Sequence, residues 1–233
     1  MRLCPFATVK LLPEASTQPI ISPRIAILHS AAGRGSLYRF FRDSSNLESH
    51  FWVAEDGRIE QYVDTNRRAD ANLHANGFAV SIETESSPSA TERWAPAQAA
   101  AIVRLLDWIC TEHPNVKRRQ CDSPTGSGIG WHIMFGTPGP WTPVAKSCPG
   151  PARVTQARDE IIPAVIAAGS TPTPEDIDMT ADELSKMLDA KLAPIKADIA
   201  ALKADYGVKG KGVRQVIADI DRRTKDIASG NRG

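Results

Sequence analysis

Apolar positions in the first 170 residues fall into short runs, each with its own period. Residues 24–29 (RIAILH) form a β-branched apolar run of the kind that makes a buried strand. Residues 36–43 space Leu37, Phe40 and Phe41 as a helix does. Residues 50–54 and 58–63 flank Glu55-Asp56-Gly57, and Asp-Gly between two strand-like runs signals a hairpin. Residues 78–84 (FAVSIET) alternate as another strand. From 96 to about 113, Pro stands in the first turn and Ile102, Leu105, Leu106 and Ile109 recur at three and four, which predicts a long helix. Residues 114–151 are rich in Gly and Pro and read mostly as loop, the usual place for site residues on a rigid scaffold. Strands first, then a long helix and loops, predict an α/β fold with a mixed central sheet flanked by helices.

The pattern changes near residue 168. Small residues, two prolines and three acids (AAGSTPTPEDIDMT) have the composition of a linker, which divides the chain into a first domain of 1–167, a linker of 168–178 and a tail of 179–233. All five tryptophans, at 52, 94, 108, 131 and 141, precede the boundary, so the tail has no means to build an aromatic core of its own. Leu188, Leu192, Ile195, Ile199, Leu202 and Tyr206 step by four and three in alternation, and Val213, Ile217, Ile220 and Ile227 resume after a break at 207–212. This predicts a helical, coiled-coil-like tail whose stripe is buried against a second helix, another copy of the chain or the first domain. A homo-oligomer through these helices is one of those outcomes. Pro194 should kink the first helix or delay its start.

Charge narrows the partners. Lys plus Arg number 28 against 27 acids, a net charge of +1, so no global field draws the chain to nucleic acid or an anionic bilayer. No run reaches the ~18 apolar residues a spanning helix needs, so no membrane insertion is expected. The N-terminal stretch broken by Pro5 and Pro13 does not read as a signal peptide, which points to synthesis in the cytoplasm. Cysteines 4, 110, 121 and 148 form no C-x-x-C pair and read as individual thiols rather than a disulfide framework. Cys110 fits the apolar side of the long helix, while Cys4 and Cys121 have no assignable role.

Candidate chemistry rests on few residues. His29 ends the first strand, His132 opens a Gly-rich loop after Trp131, and Cys148 follows in KSCPG. Two imidazoles and a thiolate suit zinc and leave a fourth position open, although taken singly each also reads as a core histidine, a loop histidine and a buried thiol. His50 reads as structural, and His113 closes the long helix, where a cation is favourable.

Five ordered segments, ILHSA, ESHFWVAEDGRIEQYVD, FAVSIETES, GWHIMFG and KSCPGPAR, resemble the type 2 N-acetylmuramoyl-L-alanine amidases, zinc enzymes related to peptidoglycan recognition proteins. The resemblance spans roughly residues 20–165 and is closest to endolysins from phages of actinobacteria. It implies a zinc ion held by His29, His132 and Cys148, a catalytic Glu83, and Lys146 as electrophilic partner. Glu85 is the fallback base if the strand register is off by two. Asn72 and His74, in ADANLHANG, are implied near the substrate groove. Ser49 stands where some relatives carry Tyr, so any phenolic contact is absent or comes from elsewhere.

The implied function is zinc-dependent hydrolysis of the amide between N-acetylmuramic acid and L-alanine in peptidoglycan, in an open groove. A phage endolysin released through a holin to lyse its host fits a chain made in the cytoplasm. Two rivals stand beside it: a non-catalytic peptidoglycan-binding module, disfavoured because all three ligands are present, and a structural phage particle protein assembled by the tail.

Overall fold

The computed structural model describes residues 1–44 and 48–170, together with scattered helical positions between 185 and 196. The chain divides into two units, Met1–Pro172 and Thr173–Gly233. The first is built on six strands: β1 (Thr8–Val9), β2 (Ile25–Leu28), β3 (Phe51–Val53), β4 (Ile59–Gln61), β5 (Ala79–Thr84) and β6 (Gly128–Trp131). They lie in the order β1-β4-β3-β5-β2-β6, and only the β3–β4 hairpin is antiparallel. The sheet is therefore mixed, as the order of elements in the sequence predicts.

Strand β2 shows why its sequence is unbrokenly apolar. It pairs with β5 on one edge and β6 on the other, and both faces are covered. Ala26 and Leu28 face a core shared with Val80, Ile82 and Ile129, while Ile25 and Ile27 face Ala79, Cys121 and Trp141. In the hairpin, Gly57 takes φ +88°, and a Cβ there would sit 2.9 Å from the Ala97 carbonyl oxygen, so the Asp-Gly turn tolerates no larger residue without strain.

Helix α1 spans Tyr38–Asp43 and α2 spans Pro96–Glu112. The latter lays Ile102, Leu105, Leu106 and Ile109, all fully buried, onto the Leu28 side of the sheet. Against the same core pack α3 (Pro151–Gln156), a single π turn (Ala157–Ile161) and α4 (Ile162–Gly169), through Ile161, Ile162 and Val165. The π turn ends two residues before Pro163, which has no amide hydrogen for the ordinary helical bond.

Two expectations are revised. The segment 114–151, read as mostly loop, contains β6, whose sequence Gly-Ile-Gly-Trp carries no strand period. Close packing explains the glycines: Gly128 has φ +133° and a Cβ there would run into the Arg119 carbonyl, while one on Gly130 would sit 2.8 Å from the Met134 sulfur. His113, expected as a cation at the end of α2, is buried with Nε2 2.7 Å from the Thr65 hydroxyl, and burial pushes its pKa down.

In the second unit, Ser185, Lys186, 188–190, 192–193 and Lys196 are helical, with Leu188 and Leu192 exposed at 49% and 42%. The remaining seam positions, Ile195, Ile199, Leu202, Tyr206, Val213, Ile217, Ile220 and Ile227, lie outside the described residues, as do Pro194 and the linker beyond residue 170. Among the described residues no helix is long and apolar enough to cross a membrane.

Candidate active site

Strand register assembles the site. In the parallel trio β5-β2-β6, Leu28 lies opposite Ile82 on one side and opposite Trp131 on the other. The residues that follow, Glu83, His29 and His132, therefore stand abreast at the C-terminal ends of three neighbouring strands, the edge where parallel α/β sheets place ligands. Two rungs hold them there: the His29 amide donates to the Ile82 carbonyl at 2.9 Å, and the His132 amide to the Leu28 carbonyl at 3.2 Å. Cys148 arrives from the loop before α3, and the Ser30 amide donates to its Sγ at 3.1 Å.

The donor atoms of His29, His132 and Cys148 all lie within 4.8 Å of one another. The two imidazole centroids are 4.4 Å apart, and His29 Nδ1 is 3.7 Å from both Cys148 Sγ and Glu83 Oε1. Burial, reinforced by His132, lowers the His29 pKa to about 3. Burial and then Lys146 lower that of His132 to about 4. Both rings are thus neutral at physiological pH, the form that offers a lone pair to a metal. Burial, with Glu83 adding to it, pushes the Cys148 thiol up to about 12. Burial also raises Glu83 to about 8, against the opposing pull of Arg153.

Among the described residues, His132 Nε2 and Glu83 Oε2 are buried without a hydrogen-bond partner. Buried polar atoms seldom go unpaired. Two orphans beside a thiol and a second neutral imidazole are what a site shaped for a metal ion and a water would leave, and the donor set suits zinc. A cavity of about 210 Å³ opens over these groups, lined also by Lys146 and Phe40. That space admits one reacting group of a polymer and not the polymer itself.

Lys146 is exposed, and its backbone amide donates to the Thr137 hydroxyl at 2.5 Å. Glu85 does not line the cavity: its carboxylate accepts the backbone amides of Gly35 at 2.7 Å and Glu55 at 2.8 Å, tying two loops together. Ser49 is buried and donates to the Phe51 carbonyl at 2.8 Å, so it adds nothing to the cavity. His50 is held on both nitrogens, by Ser81 at 3.0 Å and the Arg67 carbonyl at 2.8 Å, a structural role.

Neither of the two residues implied near the groove lines the cavity. Asn72 is fully buried, and its Oδ1 meets His29 Nε2 at 2.8 Å. His74 is exposed on the turn Leu73–Ala75 and does not line the cavity. Phe40, 57% exposed, forms part of the wall, and its helical spacing in the sequence gave no sign that it faces outward.

The sequence profile of N-acetylmuramoyl-L-alanine amidases matches residues 18–151, over half of the chain, and the chain belongs to that family. It is a peptidoglycan amidase, which hydrolyses the amide between the N-acetylmuramoyl group and L-alanine. Solved structures share the fold. The endolysin N-acetylmuramoyl-L-alanine amidase LysCS from Clostridium intestinale is 16% identical, aligning over 72% of this chain and 99% of its own with a TM-score of 0.50. A mutant of PlyL is 14% identical over 71% of this chain and 99% of its own, also with a TM-score of 0.50. Among curated protein sequences, none matches.

Proposed function

We propose that the amide hydrolysis is zinc-dependent, with His29, His132 and Cys148 as the metal's protein ligands. The observation behind this reading is the register that sets Glu83, His29 and His132 side by side with Cys148 against them. When bound, zinc would lower the pKa of a water and polarise the substrate carbonyl.

The chain's own groups supply the remaining chemistry. Glu83, whose Oε2 has no partner among the described residues, would be held ionised by a bound cation, take a proton from the attacking water and return it to the departing amine of L-alanine. Lys146, exposed at the cavity wall, donates to the oxygen on which negative charge develops. Phe40 stands at the cavity wall beside Lys146, where the substrate's reacting amide would enter.

The sequence motifs support a role as a phage endolysin, made in the cytoplasm and released through a holin. The domain division belongs to the same reading: residues 1–167 catalyse, 168–178 link, and 179–233 form a helical region for association. Mass spectrometry of fragments from purified peptidoglycan, with and without a chelator, tests the core of it. Expected are a new lactyl carboxylate and a free L-alanine amine, lost on chelation and restored by zinc. Cleavage at another bond, or chelator-insensitive cleavage, overturns it.

A further inference from the structure

The amide of Asn72 is buried for a reason the substrate does not provide. A carbonyl oxygen can only accept, so its 2.8 Å contact with His29 Nε2 places the ring proton on Nε2. The lone pair is then on Nδ1, the nitrogen 3.7 Å from both Cys148 Sγ and Glu83 Oε1.

Asn72 is itself held in place. Its backbone amide donates to Asn76 Oδ1 at 2.7 Å, and Asn76 Nδ2 donates to Asp70 Oδ1 at 3.0 Å. The Asp70 carboxylate pairs with Arg68 at 2.6 Å. Because Asn76 faces a donor on one side and a carboxylate on the other, its amide has one sensible orientation, and that fixes the Asn72 backbone. The next residue, Leu73, takes φ +51°, a conformation that non-glycine residues adopt at a cost and that clusters at functional sites. Asn72 Nδ2 has no partner among the described residues, so the amide is not there to complete a core network. Among the described residues, the one hydrogen bond its side chain makes is with His29.

We propose that Asn72 is a positioning residue whose side-chain oxygen fixes the Nε2–H tautomer and the ring orientation of His29, keeping Nδ1 free for a metal ion. The proposal rests on the zinc reading for its purpose, though not for its geometry. Partners of this kind on a ligand histidine change metal affinity by about 10- to 100-fold.

Two measurements on the full chain test it. Long-range proton–nitrogen correlation spectra of the metal-free protein, with His29 assigned through His29→Gln, report the tautomer. Competition with a chromophoric chelator reports zinc affinity. Expected are Nε2–H in the wild type, a mixed or inverted tautomer and about 10- to 100-fold weaker zinc binding in Asn72→Leu, and recovery in Asn72→Asp, which keeps an acceptor oxygen. Nδ1–H in the wild type overturns the proposal even if Asn72→Leu does not fold, as does wild-type zinc affinity in a folded Asn72→Leu. A wild type that shows Nε2–H but takes up no zinc supports the positioning while overturning the zinc reading.

Discussion

The Arg153 guanidinium donates to the Thr84 hydroxyl at 3.0 Å, and that hydroxyl donates in turn to the His29 carbonyl. Arg153 is 1% exposed and also reaches the Glu85 carbonyl at 3.0 Å and the Glu92 carbonyl at 3.1 Å. One buried cation on α3 therefore locks the end of β5 to the end of β2.

Arg153→Ala removes at once the guanidinium's bonds to the Thr84 hydroxyl and to the Glu85 and Glu92 carbonyls. We expect a loss of roughly 1–3 kcal/mol in unfolding free energy, because charge-assisted bonds and the packing of a buried side chain go together while Trp94 and Gln98 still serve Thr84 Oγ1 and the Glu85 carbonyl. Arg153→Lys recovers little, since one ammonium cannot span the same acceptors. Urea unfolding at fixed pH measures both, and a variant as stable as wild type would refute the locking role.

Zinc removal and Cys148→Ser should act alike. The variant is expected to lose metal and hydrolysis together, as read by elemental analysis and by release of soluble fragments from peptidoglycan. Full metal content with normal hydrolysis in Cys148→Ser would remove the cysteine from the ligand set.

Glu83→Gln should keep fold and metal yet hydrolyse at least ~100-fold more slowly, the usual scale for losing a general acid/base. Lys146→Ala should lose less, because the developing negative charge keeps its other stabilisation. Circular dichroism, metal analysis and turnover on a soluble muropeptide separate the cases. A fully active Glu83→Gln would rule Glu83 out as the base.

How much of this was legible in the sequence depended on period. The RIAILH strand, the Asp-Gly hairpin and α2 carry clear alternation or three-four spacing, and each forms close to where it was expected. The helical stretch from Pro151 to Gly169 was not foreseen, because it starts directly behind Pro149 and Gly150, which read as loop. Ordered motifs named His29, His132 and Cys148, but only the Leu28–Trp131 register makes the histidines neighbours. Asn72 was visible as a polar residue near the groove, yet it lies 43 positions from the ring it orients, and a turn with an unusual backbone angle brings it there.

Stability should also respond to pH through Glu48. Burial, then the nearby Asp70 and Glu14, raise its carboxyl from 4.5 to about 7, with Arg68 pulling the other way. Below pH 4.5 it is protonated folded or unfolded; between there and about 7 only the unfolded chain releases the proton, so stability falls as pH rises through that window. Glu48→Gln keeps the oxygen that Gln18 donates to and removes the penalty. Thermal melts should show the variant ahead by several degrees at pH 8 and level with wild type near pH 4. An equal gap at both would refute the assignment.

For the tail, light scattering of the full chain against residues 1–168 is the measurement. A larger full-length species with an active, monomeric truncation is expected. Identical monomers would remove association, and a folded but inactive truncation would show that the tail contributes to the site.

Two of the three donor residues hang from rungs of the sheet itself, so their separation is that of adjacent strands, ~4.8 Å, whatever happens around them. The third sits on the loop before α3, outside the strand ladder, and meets the sheet end through the Ser30 amide. On the zinc reading, metal preference could be retuned by exchanging the loop donor, thiolate for carboxylate or imidazole, as a replaceable part. The histidine pair would stay put, because moving it means unzipping β2.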